Sequence, residues 1–406
     1  MSFDRDHVWG GVVTTPARAA YAGFAAFGAL WGVWGALLPA VREQAGLGHG
    51  QLGTALLFIG AGALPAMLLT GPAVDRWGHR VTALLQVGLG MTGIVVAVTG
   101  HGFVGLSAGL ALLGAVSGAA DVANNAAAAS AEQASGRPVI ARAHGVFSAA
   151  VVVASLAGGA LRGAGAPVVV PFVLAAAAGG VAGLITLAAS TAWTRGPGSV
   201  TATPAWGDRR PLPLLPLLVA GTLVALAFAV ENAHQSWSAV YLGDVLSAGP
   251  PLAAAGPAVF AGAVALTRFA TAGLTGRHAL VVLVAGALTA AAGTAIVAAA
   301  GHVAVAVTGL GLAAAGTAVL QPTVFGLVAR RVDEADRGRA TGVVTTVAYL
   351  GFLAGPVYVG QWAGAVGLPG AMLAVAAVAV VLALSVPPAV RTIGGRQAPV
   401  RRCRAG

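Results

Sequence analysis

The sequence of 406 residues contains no lysine and few charged residues of any kind. Only 8% of its residues are charged, whereas 58% are hydrophobic and 60 are glycine. Soluble globular domains carry about 25% charged residues, so this composition excludes an ordinary soluble protein. Abundant glycine and alanine instead favour close packing of helices in lipid, because small side chains let two backbones approach each other.

Cysteine is nearly absent as well. The single cysteine, Cys403, lies in the basic tail, so no internal disulfide bond can form. Residues 1–20 contain no apolar core followed by a cleavage site, so we expect no cleaved signal peptide. Metal-ligand spacings, phosphate-binding glycine loops and nucleophile elbows are also missing. We therefore expect no metal, no cofactor and no enzymatic activity.

The hydrophobic residues fall into runs that match the thickness of a bilayer. A membrane-spanning helix needs about 20 predominantly apolar residues. The sequence contains twelve such runs, at about residues 18–40, 51–70, 80–100, 102–129, 143–165, 167–192, 213–242, 251–274, 279–300, 302–329, 339–363 and 367–390. This pattern predicts an all-α membrane protein with twelve transmembrane helices, and we expect it to be monomeric in the lipid bilayer.

Arginine predicts the orientation of these helices. One set of loops, together with both termini, holds nearly all the arginines, whereas the opposite loops hold only Arg42 and Arg162. Positive residues concentrate on the cytoplasmic side of bacterial membrane proteins. We therefore expect both termini and Arg209 in the cytoplasm of a plasma-membrane protein. The same bias explains the net charge of +10, so no nucleic-acid partner is needed.

The chain divides into two related halves. The longest polar break, at 193–211, predicts a cytoplasmic linker between residues 1–192 and residues 212–406. Three glycines near the fifth run and three near the eleventh share spacings of 13 and 5 residues: Gly145, Gly158 and Gly163, and Gly342, Gly355 and Gly360. We therefore predict two pseudo-symmetric bundles of six helices, because parallel repeats of this kind are typical of one large transporter class.

One carboxylate lies deep in the fourth run. A helix places Asp121 on the same face as Ser117, Asn124 and Asn125, which lie at i−4, i+3 and i+4. An acid near the bilayer centre costs about 2.5–3.5 kcal/mol on insertion scales and usually faces a bundle interior or a water-filled cavity. The four residues indicate either a site for a proton or solute, or a hydrogen-bond clamp between helices.

A second acid lies inside the seventh run. Glu231 shares a helical face with Gln235 and Ser238, and it is either a cavity residue or an interfacial acid exposed to water. Asn232, His234 and Gln235 predict a break in this helix. In the tenth run, Pro322 predicts a helix break that leaves one backbone carbonyl without its helical hydrogen bond. Gln321 either bonds to this carbonyl or contacts the solute. Trp31 and Trp34 end an aromatic stripe that serves packing or lines the cavity.

The loop between the second and third runs reads Gly71-Pro-Ala-Val-Asp75-Arg76-Trp-Gly78-His79-Arg80. It resembles the signature loop of the major facilitator superfamily, G-x-x-x-D-R-x-G-R-[KR], and matches this pattern at Gly71, Asp75, Arg76, Gly78 and Arg80. The resemblance implies the two-bundle major facilitator fold. It also implies a cytoplasmic gate in which Asp75 lies at the N-terminus of the eleventh helix, where a helix dipole stabilises an acid.

Shorter motifs resemble a branch of bacterial inner-membrane permeases that is distantly similar to proton-coupled fucose permeases. They are Asp-Val-Ala-Asn-Asn from Asp121, His-Gly-Val-Phe-Ser from His144, and the segment Glu231–Leu242. The resemblance implies a proton-coupled carrier of a small solute and carries no sugar specificity. We therefore expect secondary active transport by alternating access, inward or outward. The alternative is a membrane receptor or scaffold built on a transporter fold.

Overall fold

The computed structural model describes residues 15–190, 212–271 and 278–394. Within these ranges the regular structure is entirely helical. The α-helices are α1 Thr15–Ala45, α2 His49–Trp77, α3 Arg80–Thr99, α4 Gly102–Ser135, α5 Val139–Gly163, α6 Val169–Ala189, α7 Leu214–Asp244, α8 Pro250–Ala253, α9 Ala255–Thr271, α10 Ala279–Ala298, α11 Val303–Ala318, α12 Leu320–Ala329 and α13 Arg337–Ile393. A short 3-10 helix, Glu334–Asp336, precedes α13.

Eleven helical segments of the described chain are long and apolar enough to cross a membrane. Two of them join neighbouring helices, α8 with α9 and α11 with α12. The remaining nine are α1 to α7, α10 and α13. The predicted all-helical membrane architecture is therefore confirmed. The predicted linker at 193–211 and the basic tail beyond Gly394 lie outside the described residues, so the division into residues 1–192 and 212–406 stays a prediction.

The last segment, α13, differs from the two runs that the sequence predicts there. It has 57 residues, and the predicted gap at 364–366 is helical. At a rise of 1.5 Å per residue, a straight helix of this length would extend about 85 Å, far beyond a bilayer core of about 30 Å. The helix is not straight, because Gly367 adopts φ 78° and ψ 167° and joins two helices at a kink.

The described chain forms two compact units, and their boundaries fall within helices. Unit 1 contains residues 15–34, 58–157 and 166–190. Unit 2 contains residues 35–57, 158–165, 212–271 and 278–394. The C-terminal parts of α1 and α5 and the N-terminal part of α2 therefore pack in unit 2 with the second half of the sequence.

In unit 1, small residues form the surfaces where helices meet. Phe24 of α1 is buried with Ala128 and Ala131 of α4 and Ala143 of α5. Ser155 of α5 donates its hydroxyl hydrogen to the carbonyl of Gly32 in α1, at 3.0 Å. These contacts hold α4, which carries Asp121, against α1 and α5.

In unit 2, α7 packs along α13. The two backbones lie close together at Gly351, where an added Cβ would clash with the backbone of Ala225. Asn232 of α7 donates to the carbonyl of Phe352, and the indole of Trp237 donates to the carbonyl of Pro356. A glycine at the contact and two polar anchors therefore fix the position of α7, which carries Glu231.

Candidate functional site

The carboxylate of Asp121 is partly buried in unit 1. Asn125 lies one turn further along α4, and its Nδ2 donates to Asp121 Oδ1 at 3.0 Å and to the Asp121 carbonyl at 2.9 Å. Asp121 forms no ion pair within the described part of the chain. The acid is thus oriented by its own helix and has no described cation to stabilise its charge.

The predicted polar face of α4 divides into two parts. Asn125 stays with Asp121, whereas Asn124 is only 1% exposed and accepts a hydrogen bond from Gln86 Nε2 of α3 at 3.0 Å. Thr186 of α6 donates to Gln86 Oε1, also at 3.0 Å. Asn124 therefore belongs to a buried network that joins α3, α4 and α6. Ser117 is buried as well, at 4% exposure.

The two tryptophans of α1 differ in exposure. Trp34 is 4% exposed and lies in the core, which favours packing. Trp31 is partly exposed and contacts Phe27, with ring centroids 6.5 Å apart. Phe27 also contacts Phe147 of α5, at 5.6 Å. Of the two predicted cavity tryptophans, Trp31 is thus the more exposed.

In unit 2, Glu231 lies near the middle of α7. It is 17 residues from the first residue of α7 and 13 from the last, or about 26 and 20 Å along the axis. Gln235 Nε2 donates to Glu231 Oε1 at 3.0 Å. Arg268 Nη2 of α9 lies 3.9 Å from the same oxygen, which is too far for a hydrogen bond. Glu231 therefore has a cation nearby, whereas Asp121 has none among the described residues.

The predicted break at Pro322 is present, and its freed carbonyl has an unexpected partner. The helix is interrupted between α11 and α12, at Val319. Proline has no N–H, so it cannot donate to the carbonyl four residues earlier, which belongs to Ala318. Arg268 Nε donates to this carbonyl at 3.4 Å. Gln321, which is partly exposed, is not its partner and remains able to meet a solute.

The predicted break in α7 is wrong, because the helix runs without interruption from Leu214 to Asp244. Two of its polar residues, Asn232 and His234, find partners on neighbouring helices, and Gln235 bonds to Glu231 of the same helix. His234 is fully buried, stacks on Phe260 of α9 with centroids 5.5 Å apart, and lies 3.1 Å from the Thr294 hydroxyl of α10. Asn232 bonds to α13, as described above. Polar side chains satisfied in this way leave the helical backbone intact.

Unit 2 also contains a charged cluster that the sequence does not predict. Asp244 ends α7, and its Oδ2 lies 2.7 Å from Arg42 Nη1 of α1 and 2.9 Å from His49 Nε2 of α2. Next to this cluster, Gln361 of α13 donates to the Gly50 carbonyl at 3.2 Å and to the Thr54 hydroxyl at 3.0 Å. These contacts tie the ends of α1, α2 and α7 to one another and connect α2 to the interior of α13.

The signature loop is a tight turn between α2 and α3. Gly78 has a positive φ of 68°, and its N–H donates to the carbonyl of Val74 at 2.7 Å, which ends α2. Asp75 and Arg76 are exposed, and Asp75 has no ion pair among the described residues. The glycine of the motif is thus explained by the turn, whereas local structure gives Asp75 no role.

The other members of the motif lie on either side of this turn. Arg80 is the first residue of α3 and is exposed, so it can reach solvent or lipid headgroups. Gly71 is inside α2, and no described atom lies within 4 Å of the position of an added Cβ. Neither residue is therefore needed for packing among the described residues.

Long apolar helices with acids near their centres define a multi-pass membrane protein with an interior polar site. Residues 19–356 match the family model of the Major Facilitator Superfamily. The match spans most of the sequence, and the chain belongs to this family of membrane transporters.

Relatives and solved structures agree with this assignment. An uncharacterized MFS-type transporter of Yersinia pestis is 30% identical over 325 residues, which cover 80% of this chain and 83% of the relative. An uncharacterized transporter of Sinorhizobium fredii is 29% identical over 383 residues, covering 89% of this chain and 97% of the relative.

Two solved transporters share the fold. A bacterial homolog to the human lysosomal transporter Spinster, inward-facing and unoccupied, has a TM-score of 0.72 and 16% identity, covering 95% of this chain and 98% of the other. The nucleoside transporter NupG has a TM-score of 0.70 and 14% identity, covering 95% and 100%. At this identity the likeness concerns the fold.

Proposed function

We propose that this chain is a proton-coupled secondary transporter of a small solute, with Asp121 as the proton site. The observation that supports it most is the geometry of Asp121, a partly buried carboxylate of α4 without a described cation. Burial favours the neutral form of a carboxyl group. Binding and release of a proton can therefore change its charge during each transport cycle.

The proposed architecture has twelve spans when the two parts of α13 are counted separately. Both termini lie in the cytoplasm, and the protein works as a monomer. The support is the kink at Gly367 and the distribution of arginine. In this orientation, the cluster of Arg42, His49 and Asp244 lies at the periplasmic ends of its helices, and the loop with Asp75 is cytoplasmic.

The two sides carry different gate residues in this proposal. Asp244 joins Arg42 and His49 at the periplasmic side, through contacts of 2.7 and 2.9 Å. Asp75 is exposed, and family resemblance assigns it to the N-terminus of the eleventh span, near Arg339. Arg339 now pairs with Asp336, at 2.8 Å, so that end is held by a local acid. Alternating access would exchange these two sets of contacts.

The test uses proteoliposomes and the variant Asp121→Asn, which removes the titrating group but keeps the size and the hydrogen bonding of the side chain. The solute is the strongest binder from a thermal-shift screen of sugars, nucleosides and amphiphilic drugs. We expect the variant to exchange solute between equal pools and to lose accumulation driven by a pH gradient. Asp333→Asn, at an exposed position between α12 and α13, is the matched control.

Normal gradient-driven accumulation in Asp121→Asn would contradict the assignment and move the proton site elsewhere, first to Glu231. Absence of flux in the wild type, with solute binding retained, would instead favour a receptor or scaffold. Asp121→Ala cannot decide between these outcomes, because it removes the carboxylate that accepts one of the two hydrogen bonds from Asn125, and an unsatisfied buried donor costs about 1–3 kcal/mol in either case.

A further inference from the structure

Arg268 lies in the last turn of α9, and its side chain extends toward the middle of α7. Its guanidinium is 3.9 Å from Glu231, which is near the middle of α7. The side chain of Arg268 is 43% exposed, whereas that of Glu231 is 12% exposed. Charged residues at membrane depth are costly and usually face the interior of a bundle or a water-filled cavity, where they mark the path of a substrate or an ion.

The position of Arg268 on α9 shows which way it faces. Phe260, Val264 and Arg268 follow one another at intervals of four residues, so they share one face of the helix. Phe260 and Val264 are 1% and 6% exposed and pack against α11. The outer face of α9 instead carries Leu266 and Phe269, at 73% and 65% exposure. Arg268 follows this face at the end of the helix, where its guanidinium lies beside α7 and α11.

Most of the hydrogen-bonding capacity of Arg268 is unused. A guanidinium has five N–H donors in a planar fork. Only Nε has a hydrogen bond among the described residues, to the carbonyl of Ala318. This bond exists because Pro322 leaves that carbonyl without a helical donor, and it orients the fork. The two terminal nitrogens remain able to bind a carboxylate through two parallel bonds, which is the preferred geometry of arginine.

Glu231 is a loose partner for this cation. Charge-assisted hydrogen bonds between arginine and a carboxylate are about 2.7–2.9 Å long, as in the Arg42–Asp244 pair at 2.7 Å. The Arg268–Glu231 distance is 3.9 Å, and Glu231 is held by Gln235 instead. Glu231 offsets the charge of Arg268 without occupying its donors.

We propose that Arg268 binds a carboxylate or another small anionic group of the transported solute, and that Glu231 is the partner it keeps when no solute is bound. The inference rests on the proposed transport function and adds the substrate class. Arg268 acts as a binding residue, the interrupted helix at Pro322 positions it, and Gln235 holds Glu231 away from the incoming anion.

The experiment compares acids with their neutral amides. Purified protein in a neutral detergent is titrated with benzoate and benzamide, phenylacetate and phenylacetamide, and N-acetylphenylalanine and its primary amide, and the melting temperature is recorded. In the wild type we expect tighter binding of at least one acid than of its amide, by about tenfold, because the acid adds charge-assisted hydrogen bonds. Arg268→Lys should reduce this preference, because an ammonium group lacks the planar fork.

Two further variants keep the test valid when a single change destabilises the fold. Glu231→Gln removes the competing carboxylate and should increase the affinity for the acid several-fold. The double variant Arg268→Gln with Glu231→Gln leaves no unpaired charge and should bind acid and amide equally. If neither the wild type nor Glu231→Gln prefers any acid, or if the preference survives in the double variant, the proposal is wrong.

Flux measurements separate this proposal from the transport function. Solute flux that does not depend on Arg268, and that shows no preference for an acid, would leave a transporter but remove the anion site. Acid binding that depends on Arg268, without flux, would leave the site but remove the transporter. In nanodiscs, an Arg268-dependent stabilisation by phosphatidylglycerol over phosphatidylcholine, with no effect of the acids, would assign the site to a lipid headgroup and overturn the proposal.

Discussion

At the scale of single residues, ionisable side chains of this protein differ mainly in their partners. Asp121 has an amide from its own helix. Glu231 has an amide at 3.0 Å and a cation at 3.9 Å. Asp244 has two basic partners within 2.9 Å. We propose a different task for each acid: proton exchange for Asp121, balance of the charge of Arg268 for Glu231, and closure of one end of the helices for Asp244.

We expect opposite effects from substitutions at the two proposed gate residues, Asp244 and Asp75. Asp244→Asn removes the charge that holds Arg42 and His49. Hydrogen bonds to charged groups contribute about 1.5–3 kcal/mol, so we expect the periplasmic side to open about tenfold more often. The reporter is a cysteine at the buried Ser238, in a Cys403→Ser background, labelled with a membrane-impermeant maleimide. Its labelling rate should rise by about the same factor.

Asp75→Asn is the matched change on the other side. By weakening the cytoplasmic gate, it should favour the inward-open state and lower the labelling of Ser238→Cys, and it should reduce transport more than it reduces solute affinity. Equal labelling in the wild type and both variants would show that neither acid controls a gate. A rise in both variants would point to general loosening of the fold.

At the scale of helices, packing depends on glycines at particular contacts. We expect Gly351→Ala to lower the melting temperature by about 2–4 °C, because the added Cβ clashes with the backbone of Ala225 in α7, and overpacking costs about 1–3 kcal/mol. Gly342→Ala is the control on the same helix, since no described atom lies within 4 Å of its added Cβ. There, alanine should be neutral or slightly stabilising. Equal melting temperatures would show that α7 and α13 can separate at Gly351 without cost.

Helix positions were predictable from the sequence, because each bilayer-spanning helix requires a long apolar run. The residues at which the helices end were harder to predict. The fourth run was expected to end near residue 129, whereas α4 continues to Ser135 and stops where Gly136 adopts a left-handed conformation with φ 63°. Asn232 and His234, which suggested a break in α7, are paired with other helices, and a sequence does not show which helices are neighbours.

The same reasoning explains what was found and missed in the candidate site. Asp121 and Glu231 were predictable, because an acid inside an apolar run is costly and needs a reason. Gln86 was not predictable, because the position of a single glutamine on an apolar helix does not indicate that it contacts Asn124 of another helix. The role of Arg268 depends on the carbonyl of Ala318, and Pro322 predicted only that a carbonyl would be free.

At the scale of the whole molecule, the number of spans decides the side of the C-terminus. Fusions of alkaline phosphatase and of green fluorescent protein after Gly165, Val366 and Gly406 test it. With twelve spans, the first two positions should give phosphatase activity outside and the last should give fluorescence inside. Phosphatase activity at Gly406 would contradict the proposal, since it would show that the two parts of α13 do not both cross the membrane.

The turn between the two parts of α13 depends on one glycine codon, that of Gly367. Its backbone conformation, φ 78° and ψ 167°, belongs to a region that is accessible almost only to glycine. A nascent chain with a bulkier residue there favours continuation of the helix begun at Arg337. The insertion machinery would then receive one continuous helix in place of the proposed helical hairpin. The final 39 residues would no longer turn back toward the membrane. In the twelve-span proposal, a single-nucleotide change in this glycine codon would thus alter the topology at the end of the polypeptide and leave the residues proposed to bind solute or proton unchanged.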